Sequence, residues 1–230
     1  MNNADLGVVI VTGGASGLGQ AIARQVADHG GTPIVFDIGD PGDGFESERV
    51  DLAQARETEA AVDRVADRHG ALHAVVTAAG TDRCGTLAEV PAEEWERVIA
   101  VNLVGTAAIV RAALPHLERS SGKVVTVAST LGLRALSDAT AYCASKFGVL
   151  GFSRALAAET AGRVGVTCLI PGGMRTAFFD GREDRYKPPP DADLAPPEQV
   201  AEAALFALTR PPGAEVRELL VCPSHESSWP

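Results

Sequence analysis

Apolar runs recur along the chain at intervals that suit buried strands separated by helices. The first run, LGVVIVT at 6–12, is continuous and rich in β-branched residues, which is the pattern of a strand covered on both faces. Shorter runs of similar character follow it. The predicted strands span 6–12, 32–37, 49–52, 72–79, 123–129, 164–170 and 216–222.

Helical stretches alternate with these strands. Residues 53–69 place alanines and valines on one inner face, and Pro91 suits the first turn of the next helix. Residues 177–197 combine two phenylalanines, several charges and three consecutive prolines without a period, which indicates a lid or binding loop. The predicted helices span 17–29, 53–69, one or two segments within 91–119 with a bend near Gly105, 139–161 and 197–209.

This alternation predicts an α/β fold with a doubly wound, seven-stranded, mainly parallel sheet and helices on both faces. The chain of 230 residues shows no internal repeat and no low-complexity tract. We therefore expect one domain over 1–230, with a substrate lid at about 177–197.

Composition and charge narrow the class of function. The formal net charge is −10 and the pI is about 5.0, which disfavours a nucleic-acid surface and a polybasic membrane patch. The apolar run at 6–11 is too short for a signal peptide or a membrane span. The four cysteines and five histidines show no metal-ligand spacing, so we expect no metal site, no disulfide framework and a cytoplasmic location.

A glycine-rich segment, TGGASGLG at 12–19, joins the first strand to the first helix. Glycines let the backbone turn tightly and approach a pyrophosphate, which then sits on the helix N-terminus. An ordinary glycine-rich turn is the alternative. The strand before it and the helix after it favour a dinucleotide site.

Asp37 ends the second predicted strand, 18 residues after Gly19. A carboxylate at this place accepts hydrogen bonds from a ribose diol and repels a 2′-phosphate. Positions 14–16 and 38–40 carry no arginine or lysine to bind that phosphate. NAD is therefore favoured over NADP, and a surface aspartate that caps a turn is the alternative.

Tyr142 and Lys146 lie four positions apart in the predicted helix 139–161, so they share one face. An ammonium near a phenol favours the phenolate and lowers the tyrosine pKa, which makes Tyr142 a candidate general base or acid near neutral pH. The alternative is a solvated pair on the helix surface, because this spacing is common.

These segments resemble the short-chain dehydrogenase/reductase family in its single-domain form, over nearly the whole chain. Ser129 precedes Tyr142 by 13 residues and Lys146 follows it by four, as the family pattern requires. The resemblance implies a Rossmann-like fold and an NAD-dependent enzyme that interconverts a secondary alcohol and a ketone. Its motifs are TGGASGLG at 12–19, Asp51-Leu52, AAG at 78–80, Asn102 in VNLVG, Ser129 in VAS, YCASK at 142–146 and PGGMRT at 171–176.

The resemblance also implies a role for each motif. Tyr142 would exchange a proton with the substrate oxygen, and Ser129 would hydrogen-bond that oxygen. Lys146 would lower the tyrosine pKa and bind the nicotinamide ribose, while Asn102 would hold a water that links Lys146 to solvent. The implied cofactor contacts are Gly13, Ser16, Gly17, Leu18, Gly19, Asp37, Asp51, Leu52, Ala79, Gly80, Tyr142, Lys146, Pro171, Gly172 and Thr176.

One departure from the family pattern and the charges of two loops also bear on the site. The family's usual NNAG is TAAG at 77–80, which affects local support of the sheet and the adenosine side of the cofactor. The loops that border the expected substrate carry cations able to bind a carboxylate or phosphate, although loop charges are usually solvated. These cations are Arg134, Arg182, Arg185 and Lys187.

The expected partner is a small-molecule alcohol or ketone, whether sugar, hydroxy acid, acyl thioester or polyketide-like ketone. A catalytically silent dinucleotide-binding sensor or scaffold is the alternative from another class, and it has no need of the Tyr/Lys pair. Sugar-nucleotide epimerase chemistry is disfavoured because only about 54 residues follow Thr176. Helix 139–161 is rich in small residues, and family members pair it across a two-fold axis, so we expect a homotetramer or else a dimer.

Overall fold

The structure, a computed structural model, describes residues 6–42, 44–211 and 213–226. The two ends of the expected single domain, 1–5 and 227–230, lie outside the described residues. The strands are β1 (Val8–Thr12), β2 (Thr32–Asp37), β3 (Glu46–Arg49), β4 (Ala74–Thr77), β5 (Lys123–Val127), β6 (Gly165–Pro171) and β7 (Glu218–Val221). They form one sheet in the order β3-β2-β1-β4-β5-β6-β7, and each neighbouring pair is parallel. The α/β doubly wound fold predicted from the sequence is confirmed.

Helices cover both faces of the sheet. They are α1 (Gly17–Asp28), α2 (Ala55–His69), α3 (Ala92–Ile99), α4 (Thr106–Ser120), α5 (Thr140–Glu159) and α6 (Pro197–Leu208). Short 3-10 turns lie at Thr130–Gly132, Ala177–Phe179 and Asp184–Tyr186. The last two turns fall inside the predicted lid, which is otherwise irregular.

The continuous apolar runs of the strands follow from burial on both faces. In β1, Val9 and Val11 pack towards α1 and α6, while Ile10 packs towards α2, α4 and α5. All three side chains are fully buried, and each contributes roughly 1.5–3 kcal/mol of transfer free energy. The sheet is therefore held rigidly between two apolar layers, which fixes the loops at its edge.

The third strand lies earlier than the sequence predicts, at Glu46–Arg49 instead of 49–52. It is an edge strand with the sequence ESER, which carries no apolar signal. Its glutamates pair with arginines of α2, as in the 2.8 Å contact between Arg64 and Glu48. Val50 and Leu52 are buried, but they follow the strand.

The helical region 91–119 is one continuous stretch, which is one of the two alternatives that the sequence left open. α3 continues into α4 through a π-helical segment, Ala100–Gly105. A Cβ on Gly105 would lie 2.7 Å from the Leu52 carbonyl oxygen, so glycine allows the close approach of this helix to the loop after β3. The stretch Ala92–Ser120 is long and apolar enough to cross a membrane by length and composition, a test that core helices also pass.

The order of the strands places an opening beside the centre of the sheet. The chain turns to one side after β1 and to the other after β4, so their following loops diverge. In open parallel sheets, ligands bind at the carboxyl ends of the strands at such a point. A cleft of about 900 Å³ lies there, between these loops and the segment 177–189.

Candidate active site

The glycine loop after β1 is held in a conformation that only small residues allow. Gly13 and Gly17 have positive φ angles of 70° and 53°. A Cβ on Gly19 would lie 2.2 Å from the Gly13 carbonyl oxygen. The loop therefore packs tightly under the N-terminus of α1, whose first N–H groups have no partner within the helix. This cradle fits the pyrophosphate of a dinucleotide.

Asp37 stands at the carboxyl end of β2 beside the same loop. Its Oδ2 accepts a hydrogen bond from the Ala15 N–H over 3.0 Å, and its Oδ1 accepts one from the Gly39 N–H over 2.9 Å. Two backbone donors thus fix the carboxylate at the rim of the cleft. An acidic group so placed suits a ribose diol and opposes a phosphate there.

At the adenosine end of the cleft, Asp51 forms an ion pair that the sequence did not indicate. Arg97 of α3 forms a two-pronged contact with Asp51, with N–O distances between 3.2 and 3.3 Å. The Ala53 N–H also donates to Asp51 over 3.0 Å. The carboxylate is held in place from two sides, and Leu52 beside it is buried.

Ser129 and Tyr142 meet at the carboxyl end of β5. Ser129 begins a 3-10 turn, and its hydroxyl accepts a hydrogen bond from the Leu131 N–H over 3.1 Å. The Tyr142 phenol is hydrogen-bonded to the Ser129 side chain. The serine thus orients the phenol towards the cleft, which both residues line.

Lys146 lies one helical turn beyond Tyr142 and is only 4% exposed. Its Nζ donates to the Val127 carbonyl oxygen over 2.8 Å and lies 5.6 Å from the centroid of the tyrosine ring. Burial lowers the pKa of Lys146 to about 8. At neutral pH Lys146 therefore presents a buried ammonium close to the phenol ring.

The pKa of Tyr142 in the protein alone lies above its ordinary value, although Lys146 stands close to the ring. Burial raises the pKa of Tyr142, and the hydrogen bond from Ser129 offsets only part of that rise. Desolvation of the phenolate outweighs the nearby charges because α5 and the lid residue Phe178 shield part of the ring from water. Sequence spacing shows which groups meet, but the depth of burial decides the sign of the shift.

Asn102 lies behind the cleft, in the π-helical segment. Its Nδ2 donates to the Thr81 carbonyl oxygen over 2.9 Å and to the Ser145 hydroxyl over 3.0 Å. Its Oδ1 accepts from the Thr81 N–H over 2.8 Å. The side chain therefore clamps the loop after β4 to α5. Asn102 Oδ1 and Lys146 Nζ both face the space above Gly80, within 3.7 Å of where a Cβ would stand.

The segment after β6 closes the cleft opposite the glycine loop. The Thr176 hydroxyl accepts from the Phe178 N–H over 3.3 Å, and a Cβ on Gly17 would lie 3.3 Å from the Thr176 side chain. The Gly173 N–H donates to the Glu226 carboxylate over 2.7 Å. The PGGMRT segment therefore comes close to the N-terminus of α1, where Gly17 leaves room for Thr176.

The structure brings nearly all the predicted site residues together. Every cofactor contact implied by the sequence lines the same cleft, and so do Ser129, Tyr142 and Lys146. Asn102 is the exception: it does not line the cleft, but lies behind it and holds the loop after β4 against α5. In the described part of the chain, no group of three or more histidine, cysteine or acidic side chains is arranged to hold a metal ion.

The lid wall contains contacts, and one residue, Asp82, that sequence reasoning missed. Phe178 packs against Tyr142, with ring centroids 5.6 Å apart. Arg182 reaches across to Asp82, in the loop after β4, over 2.8 Å. Asp82 follows the AAG motif by two residues, and this proximity to a strand end is the one signal that could have found it.

Comparisons with known proteins agree with this geometry. The family described as short chain dehydrogenase matches residues 7–187. The D-threitol dehydrogenase of Mycolicibacterium smegmatis is 36% identical over 220 residues, which is 86% of this chain and 84% of that protein. The 3-oxoacyl-[acyl-carrier-protein] reductase of Chlamydia muridarum is 31% identical over 217 residues, 86% of this chain and 88% of the other.

A solved structure shows the same fold over almost the full length. The ligand-free aldohexose dehydrogenase of Thermoplasma acidophilum superposes with a TM-score of 0.87 at 26% identity, covering 95% of this chain and 94% of the other. The chain belongs to the short-chain dehydrogenase/reductase family. It is an oxidoreductase acting on alcohols or ketones, in a family that uses nicotinamide dinucleotides.

Proposed function

We propose that this protein interconverts a secondary alcohol of a small, uncharged polyol or sugar and the corresponding ketone, with NAD(H) as the cofactor. The observation that carries the proposal is the Tyr142 phenol, hydrogen-bonded to Ser129, at the wall of a cleft that begins at the glycine loop. Lys146 lies buried directly behind that phenol. A proton donor, an oxygen-binding hydroxyl and a cation thus converge on one point.

The chain's own residues handle the proton and the charge. In the reductive direction, Tyr142 donates its proton to the substrate oxygen while Ser129 hydrogen-bonds that oxygen and stabilises its negative charge. The buried ammonium of Lys146 favours the phenolate that remains. In the oxidative direction the same phenolate accepts the proton. A nicotinamide dinucleotide bound between the glycine loop and the PGGMRT segment supplies the hydride donor or acceptor.

The preference for NAD rests on Asp37. Its carboxylate is fixed by the Ala15 and Gly39 N–H groups at the place where a ribose diol binds in this fold. A 2′-phosphate would meet a negative charge there, and positions 14–16 and 38–40 carry no cation. The four unpaired cysteines of the described chain suit the reducing cytoplasm that we propose as its location.

The uncharged substrate class rests on the lid and on two relatives. Among the lid cations, Arg182, Arg185 and Lys187 each pair with a carboxylate. A relative is named for D-threitol and a structural neighbour for aldohexoses, both of them uncharged polyhydroxy compounds. An acyl thioester is the competing substrate, in view of the similarity to a 3-oxoacyl-[acyl-carrier-protein] reductase.

An absorbance assay of NAD(H) turnover against alcohols and ketones of graded size and charge tests this proposal. We expect turnover with polyols or sugars, and a higher kcat/KM with NAD(H) than with NADP(H). Tyr142→Phe should lower kcat by about 10²–10⁴-fold because it removes the transferable proton, while NADH titration followed by fluorescence should show unchanged binding. Tight NADH binding without turnover of any compound would favour the silent sensor or scaffold instead.

We also propose that the chain assembles as a homotetramer, with a dimer as the next alternative. The outer face of α5 carries Phe147, which is 46% exposed, and Gly151, where a Cβ would meet nothing within 4 Å. Val104, beside α5 in the π-helical segment, is 45% exposed. Small and apolar residues on one helical face suit close packing against a second copy.

A further inference from the structure

A buried ion pair joins the lid to the loop after β4. Arg182 Nη2 donates to Asp82 Oδ2 over 2.8 Å, and the two side chains are only 17% and 5% exposed. The neighbouring pair of Lys187 with Asp184 differs, because its side chains are 44% and 96% exposed. The ion pair of Arg182 with Asp82 is therefore largely buried, whereas the ion pair of Lys187 with Asp184 lies on the surface.

Asp82 is held by more than the arginine. The Arg83 N–H donates to its Oδ1 over 2.7 Å, and the Cys84 thiol donates to its Oδ2 over 3.3 Å. Burial and the carboxylate raise the pKa of Cys84 to about 11, so the thiol keeps the proton that it donates. Arg182 Nη1 also donates to the Tyr186 carbonyl oxygen over 3.4 Å. Both charges are compensated within the protein.

The pair forms part of the wall beside the reacting phenol. The Arg182 guanidinium lies 4.9 Å from the ring centroid of Phe178 and 4.7 Å from that of Phe179. Phe178 in turn packs against Tyr142. The charge of Asp82 raises the pKa of Tyr142 while the charge of Arg182 lowers it, so both charges are felt at the phenol with opposite signs.

This arrangement has a consequence for substrate charge. A buried charge is costly unless it is paired, and removal of one partner leaves the other uncompensated. A substrate carboxylate at this wall would meet an arginine that is already neutralised and an aspartate that repels it. An uncharged hydroxyl compound meets neither penalty.

We propose that the Asp82–Arg182 ion pair makes the substrate site select uncharged polyhydroxy alcohols over carboxylates of the same chain length. This inference rests on the proposed function, whose substrate class it explains. Loss of the aspartate charge leaves a buried cation that a substrate carboxylate neutralises. Loss of the arginine charge leaves a buried anion that a substrate ammonium neutralises.

Three four-carbon probes that differ in charge test the selection: threitol, threonate and 4-amino-1,2,3-butanetriol. In Asp82→Asn, the ratio of kcat/KM for threonate to that for threitol should rise by about 10- to 100-fold, the range of one charge-assisted hydrogen bond. Asp184→Asn is the matched control, because it removes a lid carboxylate from the exposed pair. The threonate-to-threitol ratio of kcat/KM for Asp184→Asn should stay within about twofold of the wild-type ratio.

Two further variants keep the test independent of the folding of Asp82→Asn. Arg182→Gln should gain turnover of the aminobutanetriol relative to threitol. The double variant Asp82→Asn/Arg182→Gln contains no buried charge at this wall, and it should prefer threitol again. A folded Arg182→Gln with the charge preference of the wild-type enzyme would overturn the inference.

Calorimetric titration of threonate in the presence of NADH separates this inference from the proposed function. Binding by Asp82→Asn, but not by the wild-type protein or Asp184→Asn, would support the ion pair even if no alcohol is oxidised. In that case the proposed function alone fails. Equal threonate binding by the wild-type protein and Asp82→Asn would overturn the inference even if threitol is a substrate.

Discussion

At the scale of single residues, burial controls the chemistry of the site more than charge does. Lys146 and Tyr142 are each shifted towards their neutral form, because both lose water in the same enclosed space. Their spacing was evident from the sequence, whereas the loss of water was not. A bound cofactor and substrate must therefore complete the environment in which the phenolate becomes accessible.

The low pKa of Lys146 predicts a particular pH dependence of stability. Below about pH 8 the amine is protonated in both the folded and the unfolded chain, and between about pH 8 and 10.5 it stays protonated only when unfolded. The unfolded state then binds more protons, so this group makes folding more favourable as the pH rises. Tyr142 acts in the opposite direction only above its unfolded pKa of about 10.

Urea denaturation of the wild-type protein and of Lys146→Met at several pH values tests this pH dependence of stability. The unfolding free energy of the wild-type protein relative to the variant should increase by about 1–2 kcal/mol between about pH 8 and 9.5. Lys187→Met, at an exposed lid position, should leave the corresponding difference constant. A constant difference for Lys146→Met as well would contradict a lowered lysine pKa.

At the scale of elements, the site depends on backbones that approach each other closely. Gly19 in the first turn of α1 leaves room for the Gly13 carbonyl oxygen, and Gly105 lets the π-helical segment pass the Leu52 carbonyl. That segment presents the Asn102 side chain to Thr81 and Ser145. π-Helical turns are rare and often occur at functional sites, and this one ties a loop of the cleft to α5.

Gly19→Ala should destabilise the protein and weaken dinucleotide binding. The added methyl group would overlap the Gly13 carbonyl oxygen, a backbone atom that cannot rotate away, at a cost of roughly 3 kcal/mol. Gly165→Ala in β6 is the matched control, because its added methyl group would lie 3.4 Å or more from the nearest side-chain atoms and should stabilise by up to about 1 kcal/mol. Thermal unfolding and NADH titration measure both variants; equal stability of the two would refute the close packing of the loop.

At the scale of the whole molecule, the outer surface of α5 predicts assembly. Light scattering at micromolar concentration should give about four times the 23.8 kDa mass of the chain. Phe147→Glu should reduce that mass, because it would bury a charge where α5 packs against a second copy. Leu87→Glu, at another exposed apolar position, should leave the mass unchanged. A monomer for the wild-type protein would exclude both the tetramer and the dimer.

The sequence by itself determined the order and type of most elements. β1, β2 and β6 are apolar on both faces, so their composition alone reveals them, and the motifs at their ends identify the family. The sequence placed β3 wrongly because this edge strand, ESER, has no apolar pattern. Backbone pairing and the arginines of α2 stabilise it instead. Periodicity carries no information about such a strand.

Only the tertiary structure decided how the residues that line the cleft change each other's charge and pKa. Ser129, Tyr142 and Lys146 keep their local spacing, and a short range of sequence is enough to predict that they meet. Asp82 and Arg182 lie 100 residues apart and meet because the lid folds back across the loop after β4. Burial of that pair, like the pKa of Tyr142, depends on which surfaces exclude water. That exclusion is a property of the packed molecule and not of any one segment.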